Sequence, residues 1–169
     1  DTVWLGDIKG VTQYGRGEPR VFGSSDGYFG GGGFCILDRG DGKVWIAGRD
    51  SIFEYDGKRL SRVRSGLDLT YSMIKCRDGS IWVASGAGVH RVHDGVWVTN
   101  SAEDGLPDAA AYDVFEDSQS RVWAGTTNGI SLYHPDADQD TPETWMQPGK
   151  NLSEVGPDGE TQFAFLGVD

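Results

Sequence analysis

The chain has 169 residues, of which 26 are glycine and six are tryptophan, and its formal net charge is −11. The negative charge argues against nucleic acid and anionic membrane surfaces as partners, and no apolar run approaches the ~20 residues that span a bilayer. The glycine content predicts many short strands joined by tight turns. Because the sequence begins without an initiator Met or a signal segment, we expect a soluble piece of a longer protein.

A phrase built around tryptophan recurs along the chain. Four tryptophans are spaced by 41, 37 and 41 residues, and each follows an aliphatic residue. Six residues after each tryptophan comes a small residue, and ten residues after it comes a tyrosine in three of the four repeats. A repeat of this length predicts a β-propeller with one blade per repeat. The four tryptophans are Trp4, Trp45, Trp82 and Trp123.

Each repeat predicts an antiparallel sheet of four short strands, here called a to d in chain order. In the second repeat these strands are predicted at 34–39, 43–47, 51–55 and 59–64. Asp-Gly pairs at 41–42 and 56–57 supply the hairpin turns. Strands a and b are apolar at consecutive positions, so neighbouring blades should cover both of their faces, whereas strand d, placed at 99–103 in the third repeat, is polar.

Residues 1–148 are therefore expected to form about four blades of a partial propeller, the first of which begins at strand b. The four tryptophans should occupy equivalent buried positions. An open set of blades leaves the apolar face of a terminal sheet exposed. We expect this face to be covered by a second copy of the chain, which would complete an eight-bladed ring, or by further blades of a larger propeller.

The fourth repeat carries the most specific motif. Its strand a ends in Glu116-Asp117, its strand b reads Val-Trp-Ala-Gly-Thr at 122–126, and its strand c reads Gly-Ile-Ser-Leu-Tyr at 129–133. These phrases closely resemble the two-component regulator propeller repeat, and the resemblance extends in phase over about residues 1–135, although the other repeats depart from its Gly-Thr. The resemblance implies a signal-transducing sensor region, periplasmic or extracellular, with any histidine kinase output domain elsewhere in the protein.

The C-terminal residues carry a second resemblance. Pro-Glu-Thr-Trp-Met at 142–146 and the alternating strand pattern at 162–168 are similar to the passage from a last blade into the immunoglobulin-like domain that follows such propellers. The resemblance implies that 149–169 form a linker and the first strand of that domain.

The sequence offers no strong catalytic or metal-binding pattern. Asp136, Asp138 and Asp140 imitate the start of a calcium loop, but the later Gly and Glu of such a loop are missing. Cys35 and Cys76 have no Cys-x-x-Cys spacing, and a buried unpaired thiol is favoured over a disulfide. We predict no cofactor, no metal and no enzymatic activity of this segment. The alternatives are a propeller lyase or hydrolase and a passive interaction scaffold.

One set of residues is a candidate ligand-binding surface. In propellers the loops between strands d and a and the turns between strands b and c usually gather at one end of the central channel, where ligands commonly bind. Aromatic faces stack on sugar rings, so a carbohydrate or another small molecule is the expected ligand. The alternative is that the aromatics pack between the inner strands. The candidates are Phe34, Tyr71 and Tyr112 at the starts of strand a, and Asp7, Lys9, Arg49, Asp50, Thr127 and Asn128 in the b–c turns.

Overall fold

The computed structural model describes residues 2–28, 31–32 and 35–134, together with the backbone of 145–146. Within these residues, fifteen strands form four antiparallel sheets, called blades 1 to 4. Blade 1 contains β1 (Val3–Asp7), β2 (Gly10–Tyr14) and β3 (Arg20–Phe22). Blade 2 contains β4 (Cys35–Asp38), β5 (Val44–Ala47), β6 (Ser51–Tyr55) and β7 (Leu60–Ser65). Blade 3 contains β8 (Thr70–Lys75), β9 (Ile81–Ser85), β10 (Gly88–His93) and β11 (Val96–Asn100). Blade 4 contains β12 (Ala111–Glu116), β13 (Val122–Thr126), β14 (Gly129–Tyr133) and β15 (Trp145–Met146).

The predicted all-β partial propeller is confirmed. Each blade is a meander in which strands adjacent in sequence pair side by side, and the described residues of blade 1 form strands b, c and d. The two helical turns in the described residues, Ser24–Asp26 and Ala102–Asp104, are far too short to cross a membrane. The predicted linker and immunoglobulin-like strand at 149–169 lie outside the described residues.

One strand prediction is wrong. Strand d of the third repeat lies at Val96–Asn100 rather than at 99–103, and the residues after it form a helical turn. The cause is the turn that precedes the strand. Asp94 and Gly95 both have positive φ, 49° and 81°, which closes a two-residue hairpin, so the strand restarts immediately at Val96.

The blades are held together face to face. Strands β4, β8 and β12 are neighbours, so strand a lies innermost in blades 2, 3 and 4. Each of three apolar clusters combines residues of two successive blades. Between blades 1 and 2 the buried members are Val11, Phe22, Tyr28, Ile46, Phe53 and Tyr55. Between blades 2 and 3 they are Trp45, Ala47, Ile52, Leu67, Met73, Ile81, Val83 and Val92. Between blades 3 and 4 they are Cys76, Trp82, Ala84, Val89, Leu106, Ala111, Val114, Val122, Ala124 and Tyr133.

The four repeat tryptophans occupy equivalent places in strand b, but only two of them are buried. Each is opposite the corresponding residue of strand c in the pairing of its sheet. Trp45 and Trp82 are 4% and 2% exposed, whereas Trp4 and Trp123 are half-buried. Val122 and Ala124 face blade 3, so Trp123 lies on the other face of blade 4, which no described blade covers, and no described strand a flanks Trp4 in blade 1. The expectation of four buried tryptophans is therefore wrong for the terminal blades.

An aromatic residue of the next blade covers the tryptophan at each described junction. Tyr55 packs on Trp4 with ring centroids 5.2 Å apart. Tyr133 packs on Trp82 in the same way, at 4.6 Å. In blade 3 the position of these tyrosines is taken by Val92, and Trp97 from the outer strand instead stacks on Trp45 at 5.7 Å. The departure of the third repeat from the tyrosine pattern is thus compensated within the same blade.

Three of the four repeat tryptophans donate their indole N–H groups to side-chain oxygens, Trp82 to the Ser80 hydroxyl at 3.0 Å. Trp45 donates to Glu54 at 3.0 Å, and Trp123 donates to Asp117 at 2.9 Å. Partial burial alone would raise the pKa of Asp117, but the hydrogen bonds donated by Trp123 and Arg121 hold it below its ordinary value. Asp117 also accepts the backbone N–H groups of Gln119 and Arg121, so the acidic motif of the fourth repeat caps the a–b turn and anchors the tryptophan.

We expect Trp82→Ala to lower the free energy of unfolding by ~3–5 kcal/mol, because it removes a fully buried ring from the junction of blades 3 and 4. Trp123→Ala is the matched control, since the same side chain is lost from a half-buried position. Its cost should be clearly smaller in urea unfolding followed by circular dichroism. Equal losses in the two variants would contradict the packing described here.

His90 is the most deeply buried titratable side chain between blades 2 and 3, with 2% of its surface exposed. Its Nε2 lies 2.8 Å from the Ser85 hydroxyl, and its Nδ1 lies 2.9 Å from the Thr99 hydroxyl. Burial, followed by the nearby charge of Arg64, lowers the pKa of His90 from 6.5 to about 4. The imidazole is therefore neutral in the folded chain at neutral pH.

This burial predicts a pH dependence of stability. Between pH 6.5 and pH 4 the unfolded chain binds a proton at His90 that the folded chain does not bind, so stability falls as the pH falls, by about 3 kcal/mol in total. Urea unfolding across this range should show a shallower pH slope for His90→Gln than for the wild type. An unchanged slope in His90→Gln would contradict the assignment.

Blade 1 has an exposed apolar face directed away from blade 2. This open face comprises Val3, Leu5, Tyr14 and Val21, which are between 41% and 66% exposed. Tyr14 occupies the repeat position of Tyr55 and Tyr133, which cover the tryptophan of a preceding blade. The open face therefore has the side chains of a blade junction without a described partner blade.

We expect the isolated chain to self-associate through this open face, because contiguous exposed apolar side chains favour association. Light scattering over a range of concentrations should show species larger than a monomer. The double substitution Leu5→Lys and Val21→Lys should shift the chain towards monomer. Val96→Lys, which changes an equally exposed valine on an outer strand, should not. A monomer at every concentration would contradict this expectation.

Candidate functional site

Loops and turns from successive blades meet at one end of the channel. The backbone N–H of Leu67 donates to the carbonyl of Asp50 in the b–c turn of blade 2, at 3.2 Å. The N–H groups of Gly86 and Ala87 in the b–c turn of blade 3 donate to Leu69 and Leu67, at 3.0 and 3.1 Å. We call this end the channel mouth; it comprises 49–50, 66–71, 86–87, 105–113 and 127–128.

The loops between strands d and a share a motif that the sequence analysis missed. Gly27, Gly66 and Gly105 are each 39 residues apart, and each has a positive φ, between 81° and 92°. Each is followed by a buried residue that fills the junction with the next blade. These three residues are Tyr28, Leu67 and Leu106. The sequence did contain a signal for this motif, namely the constant spacing of the three Gly-apolar pairs. Glycine is needed at these positions because only glycine adopts this left-handed conformation without steric cost.

Tyr71 and Tyr112 form an exposed pair at the channel mouth. Both stand at β-bulges, where the pairing of strand a with strand b shifts by one residue. A bulge re-aims the side chain of the extra residue, and here both phenol rings remain accessible, with 36% and 39% of the residue surface exposed. The ring centroids are 4.7 Å apart and the rings are inclined by 50°. The pair spans blades 3 and 4.

The remaining predicted residues are Phe34 and those of the b–c turn of blade 1. Phe34 lies outside the described residues. Asp7 caps its own turn by accepting the backbone N–H groups of Lys9 and Gly10 at 2.7 and 3.0 Å, and the Lys9 side chain is exposed.

The predicted residues in the b–c turns of blades 2 and 4 bind the neighbouring loops. Asp50 accepts the N–H of Gly66 at 3.2 Å, and the carbonyl of the exposed Arg49 accepts the N–H of Leu69. In blade 4, Asn128 donates to the Asp108 carboxylate at 3.3 Å and Thr127 donates to the same carboxylate. Three of the four side chains, those of Asp50, Thr127 and Asn128, therefore hold the loops in place.

Asp113 places a carboxylate beside the tyrosine pair. Asp113 follows Tyr112 directly and is exposed. Burial, assisted by the charge of Asp113 in blade 4, raises the pKa of the Cys35 thiol in blade 2. The starts of the inner strands thus lie close enough for a charge on one blade to act on another. Cys35 and Cys76 are both free thiols.

The fold is shared with solved structures of bacterial extracellular domains. The chain matches the extracellular domain of BT3049 from B. thetaiotaomicron, assigned as a hybrid two component system, with 20% identity and a TM-score of 0.67. It matches that of BT4673 from the same organism, assigned as a one component or a hybrid two component system, with 18% identity and TM-scores of 0.64 and 0.63. Each alignment covers 78% of this chain and 20% of the other. At this identity the likeness shows the fold.

The sequence itself gives a more local match. No curated protein matches the chain significantly. Residues 105–128, which run from the d–a loop through β12 and β13 to the following turn, match the family described as two component regulator propeller. This segment contains Tyr112, Asp117 and Trp123. The resemblance of the fourth repeat to the two component regulator propeller repeat is therefore confirmed.

Proposed function

We propose that this chain is a ligand-sensing segment of the extracytoplasmic propeller of a two-component regulator. The family match over 105–128 and the shared fold with extracellular domains of two component systems support this proposal. We locate the ligand-binding site at the exposed Tyr71–Tyr112 pair of the channel mouth. The other apolar side chains of the described inner strands are buried or partly buried, so these two adjacent accessible rings are available for contact with a ligand.

The chemistry of the pair favours a carbohydrate or a similar small ring as the ligand. Tyrosine faces pack on the C–H surfaces of sugar rings, while their hydroxyl groups and the carboxylate of Asp113 can bind sugar hydroxyls. The rings of Tyr71 and Tyr112 touch each other, so a ligand stacks on their outer surfaces and does not enter between them. Binding to both rings would bridge blades 3 and 4.

The titratable groups support binding rather than turnover. Burial alone would raise the pKa values of Glu54 and Asp78, but hydrogen bonds from Lys43 and Ser80 hold both below their ordinary range. Such carboxylates stay ionised at neutral pH and do not serve as general acids. His90 is enclosed between the blades, away from solvent. These groups are structural, which favours the sensor over the lyase or hydrolase alternative.

The wider protein follows from the same proposal. The chain spans about one fifth of the length of the solved structures that it matches. We propose that further blades, or a second copy of the chain, cover the open face of blade 1. The segment would lie in the periplasm or outside the cell and would transmit ligand binding to an output domain, such as a histidine kinase, elsewhere in the protein.

A titration with defined sugars tests the site. We expect at least one of a set of neutral oligosaccharides (cello-, xylo-, malto- and manno-oligosaccharides) to change the intrinsic fluorescence of the chain saturably. Tyr71→Ala and Tyr112→Ala should each weaken binding roughly tenfold, because each removes one stacking surface. Tyr71→Phe should bind nearly as well as the wild type, since the ring face remains.

Tyr14→Ala is the matched control, because Tyr14 is similarly exposed but lies on the open face of blade 1. Its affinity should equal that of the wild type. Unchanged affinity in a folded Tyr71→Ala, Tyr112→Ala double variant would eliminate this site. Saturable binding to none of the sugars would count against the carbohydrate ligand.

A further inference from the structure

The segment 66–69, which leads into Tyr71, is held by two blades at once. On one side the N–H of Leu67 donates to Asp50 and that of Leu69 donates to Arg49, both in the b–c turn of blade 2. On the other side the carbonyls of Leu67 and Leu69 accept the N–H groups of the b–c turn of blade 3. The Leu67 side chain is completely buried in the junction between the same two blades.

The backbone of this segment has an unusual conformation. Asp68 and Leu69 have φ values of 46° and 76°, and both are non-glycine residues in the left-handed region. Side chains disfavour this region, so the surrounding contacts must impose it. The corresponding loop of blade 4 has no positive φ between Leu106 and Tyr112. Of these two loops, only the one before Tyr71 has this strained conformation.

Gly86 makes this close approach sterically possible. A Cβ atom on Gly86 would lie 2.1 Å from the backbone carbonyl oxygen of Asp68, a separation that requires the backbone to move. The turn itself does not demand glycine here, because the φ of Gly86 lies outside the positive region. Arg49 and Thr127 occupy the same position, four residues after the tryptophan, in blades 2 and 4. The glycine is therefore needed for the loop and not for the turn.

We propose that Gly86 is a positioning residue for Tyr71. By admitting the carbonyl of Asp68, it lets the b–c turn of blade 3 bind the segment 66–69, and the bound segment places Tyr71 against Tyr112. The tyrosine surface is then formed before any ligand arrives, and its geometry depends on how blades 2 and 3 pack. The significance of the surface rests on the proposed function, but its positioning does not.

Nuclear Overhauser effects between aromatic rings test this positioning without a ligand. In the wild-type chain, cross-peaks are expected between the rings of Tyr71 and Tyr112, whose centroids are 4.7 Å apart, and between those of Trp82 and Tyr133, at 4.6 Å. Gly86→Ala should weaken the Tyr71–Tyr112 cross-peaks several-fold or abolish them. The Trp82–Tyr133 cross-peaks should persist, which shows that blades 3 and 4 remain packed.

Gly125→Ala is the matched control, since its new Cβ would make only an ordinary contact at 4.0 Å and the equivalent residues of blades 2 and 3 are alanines. Both sets of cross-peaks should persist in it. Unchanged Tyr71–Tyr112 cross-peaks in Gly86→Ala would overturn the proposal.

If Gly86→Ala loses both sets of cross-peaks, Ala87→Pro decides the question. This substitution keeps Gly86 and removes the backbone N–H through which the b–c turn of blade 3 binds Leu67. Weakened Tyr71–Tyr112 cross-peaks, with Trp82–Tyr133 cross-peaks retained, support the proposal, and unchanged ones reject it. A failed sugar titration with these cross-peak changes present would count against the proposed ligand and leave the positioning role intact.

Discussion

Every blade of this chain depends on its neighbours because its inner strands are apolar on both faces. A single four-stranded sheet cannot bury two faces, so stability arises at the junctions, where the tryptophan of one blade is covered by an aromatic residue of the next. Trp82 and Trp123 occupy equivalent positions in the strand pairing of their blades, but Trp82 is buried and Trp123 is only half-buried. The burial of the tryptophan therefore depends on the blade that covers it. Covering the open faces would therefore stabilise the chain in the same way as the junctions do, by burying apolar side chains between blades.

The candidate site depends on the same junctions. Leu67 fills the interior between blades 2 and 3, and Tyr71 is exposed only four residues later, on the strand that the loop enters. The hydrogen bonds between the segment 66–69 and both b–c turns join the buried and exposed positions into one unit. The channel mouth is thus an extension of the core packing, with its side chains redirected towards solvent by the bulge at Tyr71.

The sequence predicted most of the structural features that recur in every blade and few of those that differ between blades. The tryptophan spacing and the Asp-Gly turns located the strands of blade 2 to within one or two residues, because both signals are local. The bulges at Tyr71 and Tyr112 depend on pairing across strands, and the stacking of Trp97 on Trp45 depends on contact between blades. Neither leaves a local pattern. The hydrogen bonds from Asn128 to Pro107 and Asp108 in the preceding d–a loop were missed for the same reason.

The tyrosine pair lies across the junction of two blades, so a ligand bound there would affect how those blades pack. Tyr71 belongs to blade 3 and Tyr112 to blade 4, so a ligand that contacts both adds to the interactions across that junction. A ligand that binds only the packed arrangement stabilises it by RT ln(1 + [L]/Kd), about 2.7 kcal/mol at a hundredfold excess over Kd. This energy is comparable to the loss of a buried side chain. Under the proposed function, a ligand at the channel mouth can therefore shift the packing of successive blades without any chemical step.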